Sequence, residues 1–354
     1  MHNRRKFLKT AVLTSAGMAS LCRFPDVWSQ SPRREISIAG ERIKVIDIHA
    51  HCGIPAVESI VRGTPLEITV GKSRILGPDW VDWIDGRGID VQVLSMNQYW
   101  WYKADVDMAR RITRVQDEGL AEWCASHPDR FVGLSTVALQ HPQLAAEQLE
   151  YAVNTLGLRG ASIGGHVEGI VPSAPEFDPF WAMAEKLGVP VFMHPEGAEN
   201  VIREGALDGR GDLGNIIGNP LETTVFLSKL IFDGTLDRFP NLKVCAAHAG
   251  GYLPSYLGRT EVACDVREEA ECANKKLPSE YLKTQILVDT MVFSDEGLRH
   301  LIAEMGAGQV VYGTDRPFNW PDTLDLILNA TWLTDADKVA ILGGNLVRLL
   351  KLPD

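Results

Sequence analysis

The chain lacks the features that would make it a membrane, nucleic-acid or disulfide-scaffold protein. No apolar run approaches the roughly 20 residues needed to span a bilayer, and the most hydrophobic early stretch, Ala11 to Leu21, is broken by Ser, Thr and Gly. No stable membrane span is expected. Positive charge is in deficit: 35 Lys and Arg face 46 Asp and Glu, a net charge of -11, which disfavours nucleic acid and anionic membrane as main partners. An anionic small molecule is not excluded, because a local cation and one or two arginines outweigh a diffuse acidic surface. There is no CxxC pair among the 6 cysteines, no low-complexity tract and no repeat at a solenoid period. A glycine-rich phosphate turn is also missing after the first apolar strand, which counts against an open dinucleotide-binding sheet.

The first thirty residues read as a separate unit. Asn3-Arg4-Arg5-Lys6-Phe7-Leu8-Lys9 is a twin-arginine pattern ahead of a short apolar run, and it points to export into the periplasm or beyond. A basic cytoplasmic tail is the alternative. Val27-Trp28-Ser29 and Gly17-Met18-Ala19 both offer small residues for cleavage, and Cys22 follows Leu21, a poor context for lipid anchoring. The remaining cysteines, Cys52, Cys124, Cys245, Cys264 and Cys272, imply no scaffold; pairing of Cys264 with Cys272 is left open.

Residues 31–354 form one expected domain in which short β-branched runs alternate with amphipathic ones. Strands are expected at Val45–Ile48, Val91–Ser95, Phe131–Val137, Gly160–Gly164, Pro190–His194, Leu242–His248, Ile286–Thr290 and Val310–Asp315. Helical patterns cover Met108–Ser126, Pro142–Leu156, Asp178–Leu187, Pro220–Arg238, Asp295–Met305 and Asp335–Leu342. Eight strands alternating with helices is the count of a (β/α)8 TIM barrel, in which reactive groups gather at the C-terminal strand ends. The long connections 53–77 and 197–219 would then rise over the mouth as substrate lids, or be plain loops.

The strand ends carry the chemistry. His49 and His51 are two apart on one strand and so point to one side, where two imidazoles can grip a cation or simply lie at a surface. His194 ends the fifth strand, His248 the sixth and Asp315 the eighth. Each has a bland explanation alone, as a core histidine or a helix cap, but five such residues at one mouth make a site. Three histidines and an aspartate suit one divalent ion, zinc above others, and leave His248 free to move a proton. His127, His141 and His300 fall in helix or turn surroundings and are expected in solvent, and His166 follows strand four near the mouth.

Asp47-Ile48-His49-Ala50-His51, together with His194, His248 and Asp315, resembles the amidohydrolase superfamily. Asn219 to Thr224, Leu230 to Lys243, Phe131 to Leu134 and Gly258-Arg259 are similar to its aminocarboxymuconate-semialdehyde decarboxylase branch. The resemblance runs from about residue 44 to the C-terminus. It implies a metal-dependent hydrolase type barrel, His49, His51, His194 and Asp315 as metal ligands, and His248 as the group that works beside the metal. It also implies a homodimer in which Arg259 reaches the partner's site to hold a substrate carboxylate, with Arg74 the nearest match for a second such arginine. Two positions depart from the branch: Glu196 follows His194-Pro195, and Arg316 stands between Asp315 and Pro317-Phe318. Each adds a charge near the mouth, and both join His166 and Phe318 as candidate substrate contacts.

These residues predict a zinc-dependent carboxy-lyase acting on a small aromatic or unsaturated carboxylate, with His248 and Asp315 as its catalytic pair. A hydrolase of a lactone, ester or amide would use the same groups, with Asp315 accepting a proton from water. A barrel that binds metal or ligand without catalysis is the third alternative.

Overall fold

The computed structural model describes residues 33–198 and 200–353. The twin-arginine segment, its cleavage options and Cys22 lie outside the described residues. A small antiparallel hairpin pairs Ser37–Ile38 with Glu41–Arg42 and leads into the first long strand.

The eight expected strands are all present: the first runs on to His51, the second keeps its expected span and the other six are shorter. They are β1 (Ile46–His51), β2 (Val91–Ser95), β3 (Phe131–Gly133 and Ser135–Thr136, interrupted at Leu134), β4 (Ala161–Ile163), β5 (Val191–Met193), β6 (Val244–Ala246), β7 (Ile286–Asp289) and β8 (Val310–Val311). Every neighbouring pair is parallel and follows sequence order. Ile48 N–H then donates to the Tyr312 carbonyl at 3.0 Å, and a parallel bridge joins Ala50 to Arg316, so the order returns to its start. This is the (β/α)8 architecture, in which each crossover must carry a helix back over the outside.

The principal helices are α1 (Pro78–Arg87), α2 (Val106–Ser126), α3 (Pro142–Asn154), α4 (Asp178–Leu187), α5 (Asn219–Phe232), α6 (Leu257–Val266), α7 (Asp295–Met305) and α8 (Asn345–Leu350). Local signals set their ends. The Asp105 side chain accepts from Met108 N–H at the start of α2, and Ser294 does the same for Gly297 at α7. The single helix expected over Pro220–Arg238 is two, because Gly234 takes φ 71 between α5 and the short turn Thr235–Arg238.

Two apolar layers hold the barrel. Ile46, Ile48, Val93, Val132, Phe192, Cys245, Leu287 and Val311 fill its interior, plugged from below by Leu346 and Leu350 of α8. Outside it, Trp80, Leu94, Phe180, Trp181, Phe226 and Tyr281 are buried between strands and helices. The connection 53–77 is no free flap. Val57, Val61 and Val70 are buried with Ala109 and Ile112 of α2, and that burial anchors the segment beside the mouth.

Candidate metal centre and active site

A register shift in the β1–β2 pairing between Asp47 and Ala50 turns the end of β1 relative to its start. Ile46 and Ile48 pack into the interior, and the His49 ring sits edge-on to Phe192 of that layer at 5.3 Å. His49 and His51 do share one side, with Nε2 atoms 3.2 Å apart. Asp315 closes on both: its Oδ1 lies 2.8 Å from His51 Nε2 and 3.1 Å from His49 Nε2, and its Oδ2 is 3.7 Å from His248 Nε2. His194 completes the group, its ring 4.5 Å from that of His51 and 5.1 Å from that of His248. Ligand atoms of His49, His194, His248 and Asp315 all fall within 4.8 Å of one another. The five strand-end residues picked out in the sequence thus converge.

The structure adds two carboxylates that sequence reasoning passed over. Asp289, the last residue of β7, accepts from His49 Nδ1 at 2.7 Å and from the backbone N–H groups of His248 and Ala249 at 3.0 and 2.8 Å. Asp47 accepts from the N–H of His49 and from Thr314 N–H and Oγ1, and so ties β1 to the turn after β8. Both were detectable as acids at the ends of predicted strands. Asp315 and His248 both hold left-handed backbone, φ 58 and 53, which non-glycine residues adopt only where surroundings fix them. The hydrogen bonds of Asp47 and Asp289 supply that constraint.

Electrostatics here are dominated by burial and by these acids. Burial opposes charge on His49, but Asp315 and Asp289 outweigh it and push its ring up to about 10. His51, also fully buried, is held down at about 4. Burial likewise keeps His194 well below its ordinary value. Asp315 resists burial through the His49 charge and the histidine hydrogen bonds, which hold it far below the carboxylate range.

The residues around the mouth behave less uniformly. Arg74 reaches it: its guanidinium donates to Asn97 O and Gln98 Oε1 and lies 5.9 Å from the Phe318 ring, itself 5.1 Å from the His51 ring. His166 accepts from Gly169 N–H at Nδ1, and its Nε2 lies 4.0 Å from Glu222 Oε1. Glu222, on α5 and not assigned a role from sequence, accepts from Gly165 and Gly197 N–H and so joins the turns after β4 and β5. Burial drives its carboxyl up to about 8 despite those donors. Glu196 is exposed at the same rim, and its charge bears on Glu222 and Tyr102. Arg316 differs from expectation. Rather than presenting its charge to the cluster, it stacks its guanidinium on Trp80 and Trp83 of α1. Arg259 is exposed on α6, away from the cluster's hydrogen bonds. Of the histidines expected in solvent, His300 is exposed, while His127 packs on Trp123 and His141 approaches Ala104 O.

With this geometry in hand, comparison with known proteins is decisive. The family model described as amidohydrolase matches residues 46–352. The chain belongs to the amidohydrolase family. It is 33% identical over 276 residues to 2-amino-3-carboxymuconate-6-semialdehyde decarboxylase of Dictyostelium discoideum, covering 75% of this chain and 73% of that one. It is 32% identical over 281 residues to gamma-resorcylate decarboxylase of a Rhizobium species, covering 76% and 85%. Among solved structures, a dihydroxybenzoic acid decarboxylase from Polaromonas with bound manganese and 2-nitroresorcinol superposes with TM-score 0.76 at 26% identity, covering 88% and 97%.

An amidohydrolase site should accept a divalent ion, and the donor chemistry here fits one. His194 Nδ1 donates to Pro195 O at 2.8 Å and His49 Nδ1 to Asp289, which leaves Nε2 of each ring as the atom that would bind an ion, His49 losing its second proton when it does. Two imidazole Nε2 atoms 3.2 Å apart need a cation between them, and a proton on His49 fills that role until a metal ion displaces it. Asp315 Oδ1 is buried against the Nε2 atoms of His49 and His51, where an ion would replace the protons those groups share, and His51 Nδ1 is buried without a hydrogen-bond partner.

Proposed function

We propose that this amidohydrolase is a metal-dependent carboxy-lyase acting on a small aromatic carboxylate. The observation that carries the proposal is the buried convergence of His49, His51, His194 and Asp315, with the slightly exposed His248 also within reach of the same point, in a chain whose relatives named above are decarboxylases. Those relatives favour decarboxylation over the hydrolysis that the same groups could perform.

His49, His51, His194 and Asp315 would hold one divalent ion. Zinc suits three imidazoles and a carboxylate, and the Polaromonas relative carries manganese. Once bound, the ion supplies Lewis-acid stabilisation of the negative charge that develops on the substrate. The side chains do the rest. Arg74, flanked by Phe318, orients the carboxylate and the ring. The bond from ring carbon to carboxylate carbon breaks, CO2 departs, and the electron pair left on the ring carbon takes a proton from His248. Its side chain is 15% exposed where His49 and His51 are 0%, which fits a group facing substrate. Asp289 fixes the turn that presents His248, and Asp315 steadies its ring.

The assignment is tested by incubating metal-loaded protein with 2,6-dihydroxybenzoate, 5-carboxyvanillate, aryl lactones and aryl esters while reading CO2 and acid separately. CO2 from a carboxylate is the expected product; acid release from lactones or esters without CO2 would reverse the assignment in favour of hydrolysis. Metal analysis of the same preparation should find about one zinc per chain, and manganese in its place would overturn the zinc assignment alone.

Two broader features belong to the same proposal. The exposed face of α6 carries Arg259 with Val262 and Val266, 48% and 71% exposed, a spacing that puts all three on one side of the helix. A homodimer that buries this face and lends Arg259 to the partner's mouth accounts for it. Sedimentation should give twice the chain mass, and a monomer at micromolar concentration would contradict the arrangement. Export through the twin-arginine segment is supported by the Cys264–Cys272 disulfide, a bond at home in an oxidising compartment. Fractionation of the native host should place the protein outside the cytoplasm, and a wholly cytoplasmic pool would refute export.

A further inference from the structure

Arg316 is only 7% exposed, yet its guanidinium forms no hydrogen bond or ion pair with a carboxylate among the described residues. Its Nη1 is enclosed without an acceptor. A buried cation with no directly bonded carboxylate is costly to keep in a fold. The indole faces offset part of that cost: Arg316 Cζ lies 4.1 Å from the Trp80 ring and 4.4 Å from the Trp83 ring. Neither ring supplies negative charge. Asp47 and Asp79 act on Arg316 only through space, without a hydrogen bond, while the neighbouring Arg87, 4.1 Å from the Trp83 ring, is already paired with Asp322.

Arg316 lines a pocket of about 340 Å³ together with Lys72, Ser73, Trp83, Pro317 and Asn319. None of these is a member of the histidine and aspartate cluster. Asp79 also lines the pocket, on its exposed rim, and forms no ion pair with Arg316 among the described residues. The turn after β8 therefore faces two ways. Asp315 and Phe318 turn to His51, while Arg316 and Pro317 turn to the pocket.

We propose that this pocket is a second binding site for a flat carboxylate, which pairs with Arg316 and Lys72 and lays its ring against Ile75 and Pro317. The volume accommodates a small aromatic acid. Choosing an aromatic acid rests on the function proposed above, whereas the need for an anion rests on Arg316 alone.

Equilibrium dialysis of the metal-loaded full chain against labelled benzoate tests this. Wild type should saturate at two benzoates per chain and Arg316→Met at one. If the mouth takes no benzoate, the counts become one and zero, which keeps the pocket and weakens only the reading of the mouth. Equal counts and affinities in wild type and Arg316→Met overturn the proposal. Lys72 is exposed and removable without touching the core, so Lys72→Ala should fold and bind the second benzoate about tenfold more weakly. Should Arg316→Met fail to fold, unchanged affinity in Lys72→Ala is the overturning result. Equimolar inorganic phosphate should leave benzoate in place, and its displacement would overturn the choice of a flat carboxylate.

Discussion

Asp289 shows how much of the site depends on residues that touch no ligand. Its Oδ2 accepts from the His49 imidazole and from the His248 backbone N–H, and its Oδ1 accepts from Ala249 and Met291 N–H. Replacing it with asparagine keeps the shape but turns one acceptor into a donor aimed at N–H groups. Asp289→Asn should therefore weaken metal binding about 10–100-fold while the far-ultraviolet spectrum is retained. Competition with a chromophoric chelator measures this directly, and an unchanged affinity would remove Asp289 from the account. At this scale the sequence was readable where chemistry and strand position coincided, as at His49, His51, His194, His248 and Asp315. It was unreadable for Arg316, since nothing in Asp315-Arg316-Pro317 tells that Trp80 and Trp83, more than 230 residues earlier, receive the guanidinium.

Among the elements, α6 is the one whose position most affects the proposed dimer. Cys264 in its last turn is bonded to Cys272 in the following loop, eight residues on. Closing so short a loop stabilises the fold by about 2–3 kcal/mol through the unfolded chain. The Cys264→Ser, Cys272→Ser pair should lose about that much in urea unfolding of the oxidised protein, and no loss would mean the bond constrains nothing. The pairing was left open from sequence because spacing alone does not orient two Cβ atoms. Strand existence was legible throughout, since β-branched runs bounded by Gly, Pro or Asp mark buried parallel strands. Their ends were not: His248 lies in a turn past β6, and β8 stops at Val311, because the backbone leaves the ladder to build the site. The break at Gly234 and the packing of 53–77 on α2 depend on contacts that periodicity does not encode.

On the scale of the whole molecule, the barrel brings residues from β1, β5, β6 and β8 to one mouth, which is why five scattered positions could be read together. An interior of Ile, Val, Leu and Phe beneath them gives the histidines a dry floor, and there a carboxylate and imidazoles interact more strongly than in water. The central claim is that this cluster and the metal it takes remove CO2 from an aromatic carboxylate. Its most direct test is CO2 release from 2,6-dihydroxybenzoate and 5-carboxyvanillate by one preparation, assayed as purified, after chelation and after metal is restored, alongside the His49→Ala, His51→Ala variant. Activity should vanish on chelation, return with the metal and stay absent from the variant. CO2 release by the folded double variant at the wild-type rate would contradict the account.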